Sequence, residues 1–249
     1  MPQHQVPQIF AARRIEAARK RARVRHARGG TAWLSETMAQ DVRERLGFMR
    51  CDPGTALVSG DRSGTLAPAL EVGGTAVTQR DYLDLERPLG EGPFDLIVAL
   101  GELQTVNDLP GALIHLRHAL TPGGLLIAML TGGGSLPGLR AAMLAADGER
   151  PAARIHPQVD DRAASALLQR AGFQRQVVDR YTLTARYDGL PALISDLRDQ
   201  GLGSVLNDRG PPVPRAGYER AIEAFAEQAD DDDRISEKFE IIAMTAWKD

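Results

Sequence analysis

Residues Phe94-Asp95-Leu96-Ile97-Val98-Ala99-Leu100 constrain the fold of this chain more than any other segment. Apart from Asp95 the run is apolar without alternation. That is the pattern of a parallel strand covered on both faces, not of a strand with one wet side. A second run of the same kind, Leu125 to Leu130, follows it. Parallel neighbours need a long crossover, usually a helix. The stretch opened by Asp108-Leu109-Pro110 and running through Leu120 supplies one. Asp108 stands where an N-cap belongs, Pro110 fits the first turn, and Leu113, Leu116 and Leu120 form one stripe. Thr121-Pro122-Gly123-Gly124 reads as the turn back into the sheet.

The flanking sequence extends this unit in both directions. Residues 7–28 read as a helix stopped at Gly29-Gly30, and 34–47 as a second helix with Leu34, Met38, Val42 and Leu46 on one face. Ala56-Leu57-Val58 is a short buried strand, Gly60 to Gly64 a turn, Leu66 to Leu70 a short helix, and Ala76-Val77-Thr78 a strand with Asp81 just beyond it. Downstream, helices are predicted over 136–146, 160–171, 190–200 and 218–228. Strands are predicted over 173–178, 181–187 and 239–247, with Pro211-Pro212-Val213-Pro214 a rigid connector. Strands alternating with helices at this pitch give an α/β fold built on a doubly wound, mostly parallel sheet. We divide the chain into an N-terminal helical arm, 1–50, and an α/β domain, 51–249.

Composition narrows the class of function. A net charge of −3 gives no global attraction to nucleic acid or membrane. A single cysteine, Cys51, excludes an intrachain disulfide and fits a reducing compartment. The first residues carry no apolar h-region, and no run reaches the roughly 18 apolar residues of a span, so a cytoplasmic protein is expected. Charge is nevertheless concentrated locally. Between Arg13 and Arg28 lie eight basic residues against one acid, Glu16. This basic helix is expected either to be a solvated face or to dock on an acidic protein partner or an anionic membrane surface. No aromatics interleave the arginines, which leaves nucleic-acid bases nothing to stack on. His115 and His118 have no third ligand at useful spacing, so no metal site is expected. Cys51, Trp33 and Trp247 read as packing residues, and Asp230-Asp231-Asp232-Asp233 as a solvated loop. Gly132-Gly133-Gly134-Ser135 is not a hydrolase elbow. Glu102, at the carboxyl end of the 94–100 strand, either lines a cleft or is solvated.

Several stretches together carry a resemblance that spans most of the chain. They are Ile9-Phe10 with the arginine-rich helix, Phe94-Asp95-Leu96-Ile97-Val98, Val106-Asn107-Asp108-Leu109-Pro110-Gly111-Ala112-Leu113, and Leu120-Thr121-Pro122-Gly123-Gly124-Leu125. Leu167-Leu168-Gln169-Arg170-Ala171-Gly172-Phe173, Leu183-Thr184-Ala185-Arg186-Tyr187 and Phe239-Glu240-Ile241-Ile242 complete the set. The chain resembles class I S-adenosylmethionine-dependent methyltransferases of a Rossmann-like fold. It is most similar to the branch that contains a mitochondrial complex I assembly factor, an arginine hydroxylase, and its alphaproteobacterial relatives.

The resemblance implies S-adenosylmethionine as cofactor, lying across the carboxyl ends of the strands. It implies a glycine turn after the first strand, an acid ending the second strand on the ribose, and an Asp or Asn one strand later on the adenine. On this frame Gly60, Asp61, Gly64, Asp81, Leu100 and Glu102 are the cofactor candidates. The turn departs from the pattern. Leu57-Val58-Ser59 lacks the usual acid, and Arg62 puts a cation where a sulfonium would lie. Only 29 residues separate Gly64 from Phe94, so about one strand–helix unit is missing. Asp81 is then expected at the adenine position, leaving Glu71 as the ribose candidate. Two functions follow. One is a methyltransferase-like protein modifying a protein arginine or assisting respiratory-complex assembly. The other is an inactive relative kept as a binding or assembly module.

Overall fold

The centre of the molecule is β3 (Phe94–Leu100), fully buried from Leu96 to Leu100 between two apolar layers. A computed structural model describes residues 6–249; His4 lies outside them. The six strands run in the order β2-β1-β3-β4-β6-β5, with β1 Thr55–Ser59, β2 Ala76–Arg80, β4 Leu120–Thr131, β5 Gln174–Tyr187 and β6 Ile235–Trp247. β1, β2, β3 and β4 pair in parallel, while β6 runs antiparallel to both β4 and β5. Helices α1 (Ala12–His26), α2 (Trp33–Met49), α3 (Leu66–Val72), α4 (Leu109–His118), α5 (Pro137–Asp147), α6 (Asp161–Arg170), α7 (Leu190–Asp199) and α8 (Arg215–Ala226) accompany the sheet. One apolar layer joins α2, α5, α7 and α8 to one sheet face, and a second joins α4 and α6 to the other. This is the doubly wound, mostly parallel architecture that the uninterrupted apolar runs require.

Local chemistry explains where elements start. Asp108 caps α4, its carboxylate accepting from Gly111 N at 2.9 Å. Asp160 caps α6 through Ala163 N at 2.7 Å. Two expectations need correction. Thr121-Pro122-Gly123-Gly124 is not a turn between elements but an irregularity inside β4. Phe94 pairs with Leu120 and Leu96 with Leu125, so four residues of β4 stand opposite the single Asp95, three more than a regular ladder holds, with Gly123 at φ +78°. Gln174–Tyr187 form one strand, because its partner β6 starts at Ile235 and is long enough to pair with it from end to end, with one irregularity between Gln174 and Val177.

Among the described residues only β2 lies beyond β1, so the segment between Gly64 and Phe94 builds a single strand–helix unit. The winding direction reverses between β1 and β3. That reversal opens a crevice at the carboxyl ends of those two strands.

Candidate functional site at the carboxyl ends of the strands

The turn after β1 is built around Gly60, which adopts φ +76° and packs so closely on β3 that a Cβ there would overlap the Leu100 carbonyl oxygen. Asp61 is consumed by the turn itself. Its Oδ1 accepts from Ser63 N at 3.0 Å and Gly64 N at 3.2 Å, and its Oδ2 from Leu66 N at 2.9 Å, where α3 begins. Ser35 of α2 holds the same turn, its hydroxyl accepting from Arg62 N at 2.9 Å. The Arg62 guanidinium turns inward, donating to the Gln200 carbonyl and lying against Gly201. Burial lowers its pKa, an effect partly offset by the negative charge of Glu102.

Glu102 is the most informative side chain of the site. It follows β3, is only 2% exposed, and its Oε1 accepts from Leu83 N at 3.0 Å. Its Oε2 has no hydrogen-bond partner. Burial pushes its carboxyl up to about 7, against the opposing influence of the Ser59 hydroxyl, Arg19, Leu83 N–H and Arg62. Two arginines therefore converge on one buried acid.

Arg19 belongs to α1, which lies across the strand ends. Its guanidinium is 3.8 Å from Glu102 and stacks 4.1 Å above the Tyr82 ring. One turn on, Arg23 pairs with Asp81 at 3.0 Å. Arg14 donates to the Leu206 and Asn207 carbonyls, and Arg25 pairs with Asp199 and donates to Ser195 Oγ. Four of the eight cations between Arg13 and Arg28 are thus spent inside the molecule. The lead into α1 is fixed as well: Phe10 N donates to Asn107 Oδ1 at 2.8 Å, and buried Phe10 packs edge-on against His156 at 5.2 Å. Burial lowers the His156 pKa to about 4, so the ring is neutral and its Nε2 accepts from Val205 N at 2.8 Å.

Between α2, the β1 turn and the end of β3, about 10 Å³ remains among Leu34, Met38, Gly60, Arg62 and Leu100. That is room for one water at most, whereas small-molecule sites span roughly 300–1,000 Å³. The closed arrangement does not fit S-adenosylmethionine. On the β4 side the crevice is different. Gln104 and Thr131, joined through Gln104 Oε1 at 2.8–2.9 Å, also line an open cavity of about 1310 Å³.

Comparison with known proteins places this geometry. No protein-family model matches the chain. The mouse mitochondrial arginine-hydroxylase NDUFAF5 is 32% identical over 165 residues, 65% of this chain and 48% of that protein. The zebrafish (Danio rerio) protein of the same name is 30% identical over 223 residues, 88% of this chain and 66% of that protein. A malonyl-[acyl-carrier protein] O-methyltransferase of Xylella fastidiosa is 32% identical over 161 residues, 64% of this chain and 54% of that protein. The chain is a class I methyltransferase-like protein, near the arginine-hydroxylase branch. It spans about half the length of the mammalian relatives it matches. In fold it is similar to the 1,6-didemethyltoxoflavin-N1-methyltransferase of Burkholderia thailandensis, with a TM-score of 0.50 at 16% identity over 98% of this chain and 93% of that one. The YcgJ protein of Bacillus subtilis gives 0.52 at 12% identity, over 88% and 99%.

Within the methyltransferase frame the expectation for Asp81 changes. β2 is hydrogen-bonded directly to β1, from Thr55↔Ala76 to Ser59↔Arg80, so Asp81 ends the second strand. In the frame that the resemblance implies, an acid at that place would meet the ribose and not the adenine, and among the described residues no further strand lies beyond β2. Glu71 is also misplaced as a ribose candidate. It is exposed in the last turn of α3, which carries the chain back to the amino ends of the strands. Gly60, Leu100 and Glu102 do converge at the crevice; Gly64 stands at its outer edge with open space around it.

The remaining singled-out residues have structural partners. His115 Nδ1 meets the Leu85 carbonyl at 3.0 Å, and Ser135 exchanges hydrogen bonds with the Glu240 backbone. Trp33 packs edge-on against Phe239 and donates to Asp196. Burial, then Asp52 and Asp95, raise the Cys51 thiol pKa and so favour the thiol over the thiolate. Asp230 and Asp232 pair with Arg186. Sequence reasoning did not bring together the Arg19–Glu102 and Arg23–Asp81 pairs. Their partners lie 83 and 58 positions apart (102 − 19 and 81 − 23), and only the tertiary fold joins them.

Proposed function

We propose that this chain is an S-adenosylmethionine-dependent methyltransferase-like protein whose cofactor half is gated by its own first helix. The observation that carries the reading is the pairing of Arg19 with Glu102 and of Arg23 with Asp81 across the strand ends. The helix is held chiefly by polar contacts of Arg14, Arg19, Arg23 and Arg25 and not by apolar burial. It buries only Ala18 and Ala22, and the Arg23–Asp81 pair is largely exposed and so adds at most about 1 kcal/mol. Lifting it uncovers the side chains at the ends of β2 and β3. Cofactor and helix compete for one space, and the apparent affinity falls by the fraction of molecules that are open.

Of the two roles carried by the resemblance, assistance in assembly fits better than modification of a protein arginine. The cavity beside β4 is lined by cations, and an arginine acceptor entering it would be repelled. Arg13, Lys20, Arg21 and Arg28, which have no carboxylate partner among the described residues, remain available for an acidic partner. Among the described residues no helix is long and apolar enough to cross a membrane. The lone cysteine supports a reducing compartment, and we place the protein in the cytoplasm. A second reading, an inactive relative serving as a binding module, is favoured by the inward-facing Arg62 and by Asp61 being used up in its own turn.

Calorimetric titration with S-adenosylhomocysteine separates the two. The gated reading expects weak binding to the full chain and at least about tenfold tighter binding to the Arg19→Ala, Arg23→Ala variant. Silence from both proteins up to millimolar ligand would establish the inactive reading. Equal micromolar binding to both would remove the gate.

A further inference from the structure

The 1310 Å³ cavity beside β4 is larger than a common small-molecule site and has an unusual division of chemistry. Eight arginine and lysine side chains line it, and among the described residues no Asp or Glu does. Arg25 and Arg154 are neutralised from behind, by Asp199 and Asp147. Arg13, Lys20, Arg21, Arg198 and Arg209 have no carboxylate partner among the described residues. Aliphatic side chains line it too: Leu136, Leu139, Met143, Ile194, Leu197 and Leu202, contributed by α5, α7 and the segments that flank them. No Phe, Tyr or Trp lines the space, which leaves a nucleotide base without a stacking partner. At the inner end lie Gln104 and Thr131, and the Ser204 hydroxyl on the wall is buried without a hydrogen-bond partner.

A cavity lined by both cations and aliphatic side chains is complementary to a molecule with an anionic head and an alkyl body. We propose that this cavity binds a monomeric anionic amphiphile, a phosphate or carboxylate head on an unbranched alkyl chain, with the head on Arg21 and Arg198 and the chain along Leu139, Met143 and Ile194. Guanidinium groups suit such heads because their planar forks donate two parallel hydrogen bonds. The apolar wall adds roughly 0.8 kcal/mol per buried methylene, which a bare anion cannot gain. The site does not depend on the gated cofactor reading, since it forms with α1 seated.

Calorimetry of the full chain with dodecyl phosphate, below the concentration at which it forms micelles, tests the assignment without any cofactor. Laurate, inorganic phosphate, dodecyl maltoside and anionic phospholipid vesicles provide the comparisons. We expect micromolar binding of dodecyl phosphate or laurate, and the stronger of the two identifies the head. Inorganic phosphate and the maltoside should bind at least about tenfold more weakly, and binding should weaken with salt. Arg21→Glu with Arg198→Glu should reduce affinity more than about tenfold, while Arg21→Lys with Arg198→Lys retains most of it. Equal binding of the neutral maltoside, binding to vesicles alone, or unchanged affinity in the charge-reversed variant overturns the proposal. Because S-adenosylhomocysteine is absent throughout, failure here leaves the gated reading standing.

Discussion

Replacing Gly60 with alanine is expected to lower stability by about 3 kcal/mol or more, a large share of the roughly 5–15 kcal/mol that holds a typical domain folded. Two effects act together. At φ +76° an L residue with a Cβ is strained, which by itself costs on the order of 1 kcal/mol or more. The added Cβ would also overlap the Leu100 carbonyl oxygen, and its next neighbour is Glu102 Cγ at 3.0 Å. Leu100 sits at the end of the central strand, where its backbone cannot move without disturbing the pairing of β3 with β4. Gly64→Ala provides the control. Its φ is +67°, but a Cβ there meets nothing within 4 Å, so only the conformational strain remains. Urea denaturation of both variants measures the difference. Equal losses would show that β1 and β3 are not packed as closely at the crevice as described.

Glu102→Gln is expected to change the pH dependence of stability by about 2–3 kcal/mol between pH 5 and pH 8. Burial raises the folded carboxyl to about 7 from the ordinary 4.5 of a solvated glutamate, so between those limits the folded chain holds a proton that the unfolded chain has released. Stability therefore falls as pH rises through this window, by roughly 3 kcal/mol for a difference of this size. Glutamine removes the titration. The advantage of the variant over the wild type then grows from pH 5 to pH 8.

The groups facing Glu102 are Arg19 from α1, Arg62 from the β1 turn, and the Ser59 hydroxyl. None of them titrates in this range. His156 does have an opposite effect, because its folded value near 4 makes stability rise with pH up to about 6.5. It is present in both proteins and cancels in the difference. Urea midpoints at pH 5 and pH 8 give the result. A difference independent of pH would show that Glu102 is ionised and well paired throughout.

The scaffold was legible because buried parallel strands leave an unmistakable trace. Phe94–Leu100 and Leu125–Leu130 have no polar face to alternate, and Asp108 with Pro110 marks a helix start by chemistry alone. Boundaries were less legible where pairing, not composition, sets them. Thr121 to Gly124 look like a turn, yet the pairing of Leu120 with Phe94 before them and of Leu125 with Leu96 and Trp247 after them keeps them within one strand. The place of Asp81 was not legible for a similar reason, since residue count tells that a unit is missing but not which edge of β1 the surviving strand will occupy. The arginine helix was the hardest to interpret. Its sequence announces eight cations, but nothing local distinguishes Arg19 and Arg23, which point to buried Glu102 and to Asp81, from Arg13, Lys20 and Arg21, which line the cavity. The resemblance gave the place of the cofactor and left open what covers that place.

Amide hydrogen exchange of the full chain, with and without millimolar S-adenosylhomocysteine, tests most directly whether α1 and the cofactor compete for the strand ends. The account predicts faster exchange in Ala12–His26 when ligand is present, with β3 unchanged or better protected. Exchange in α1 that stays the same, or slows, on adding ligand would contradict it.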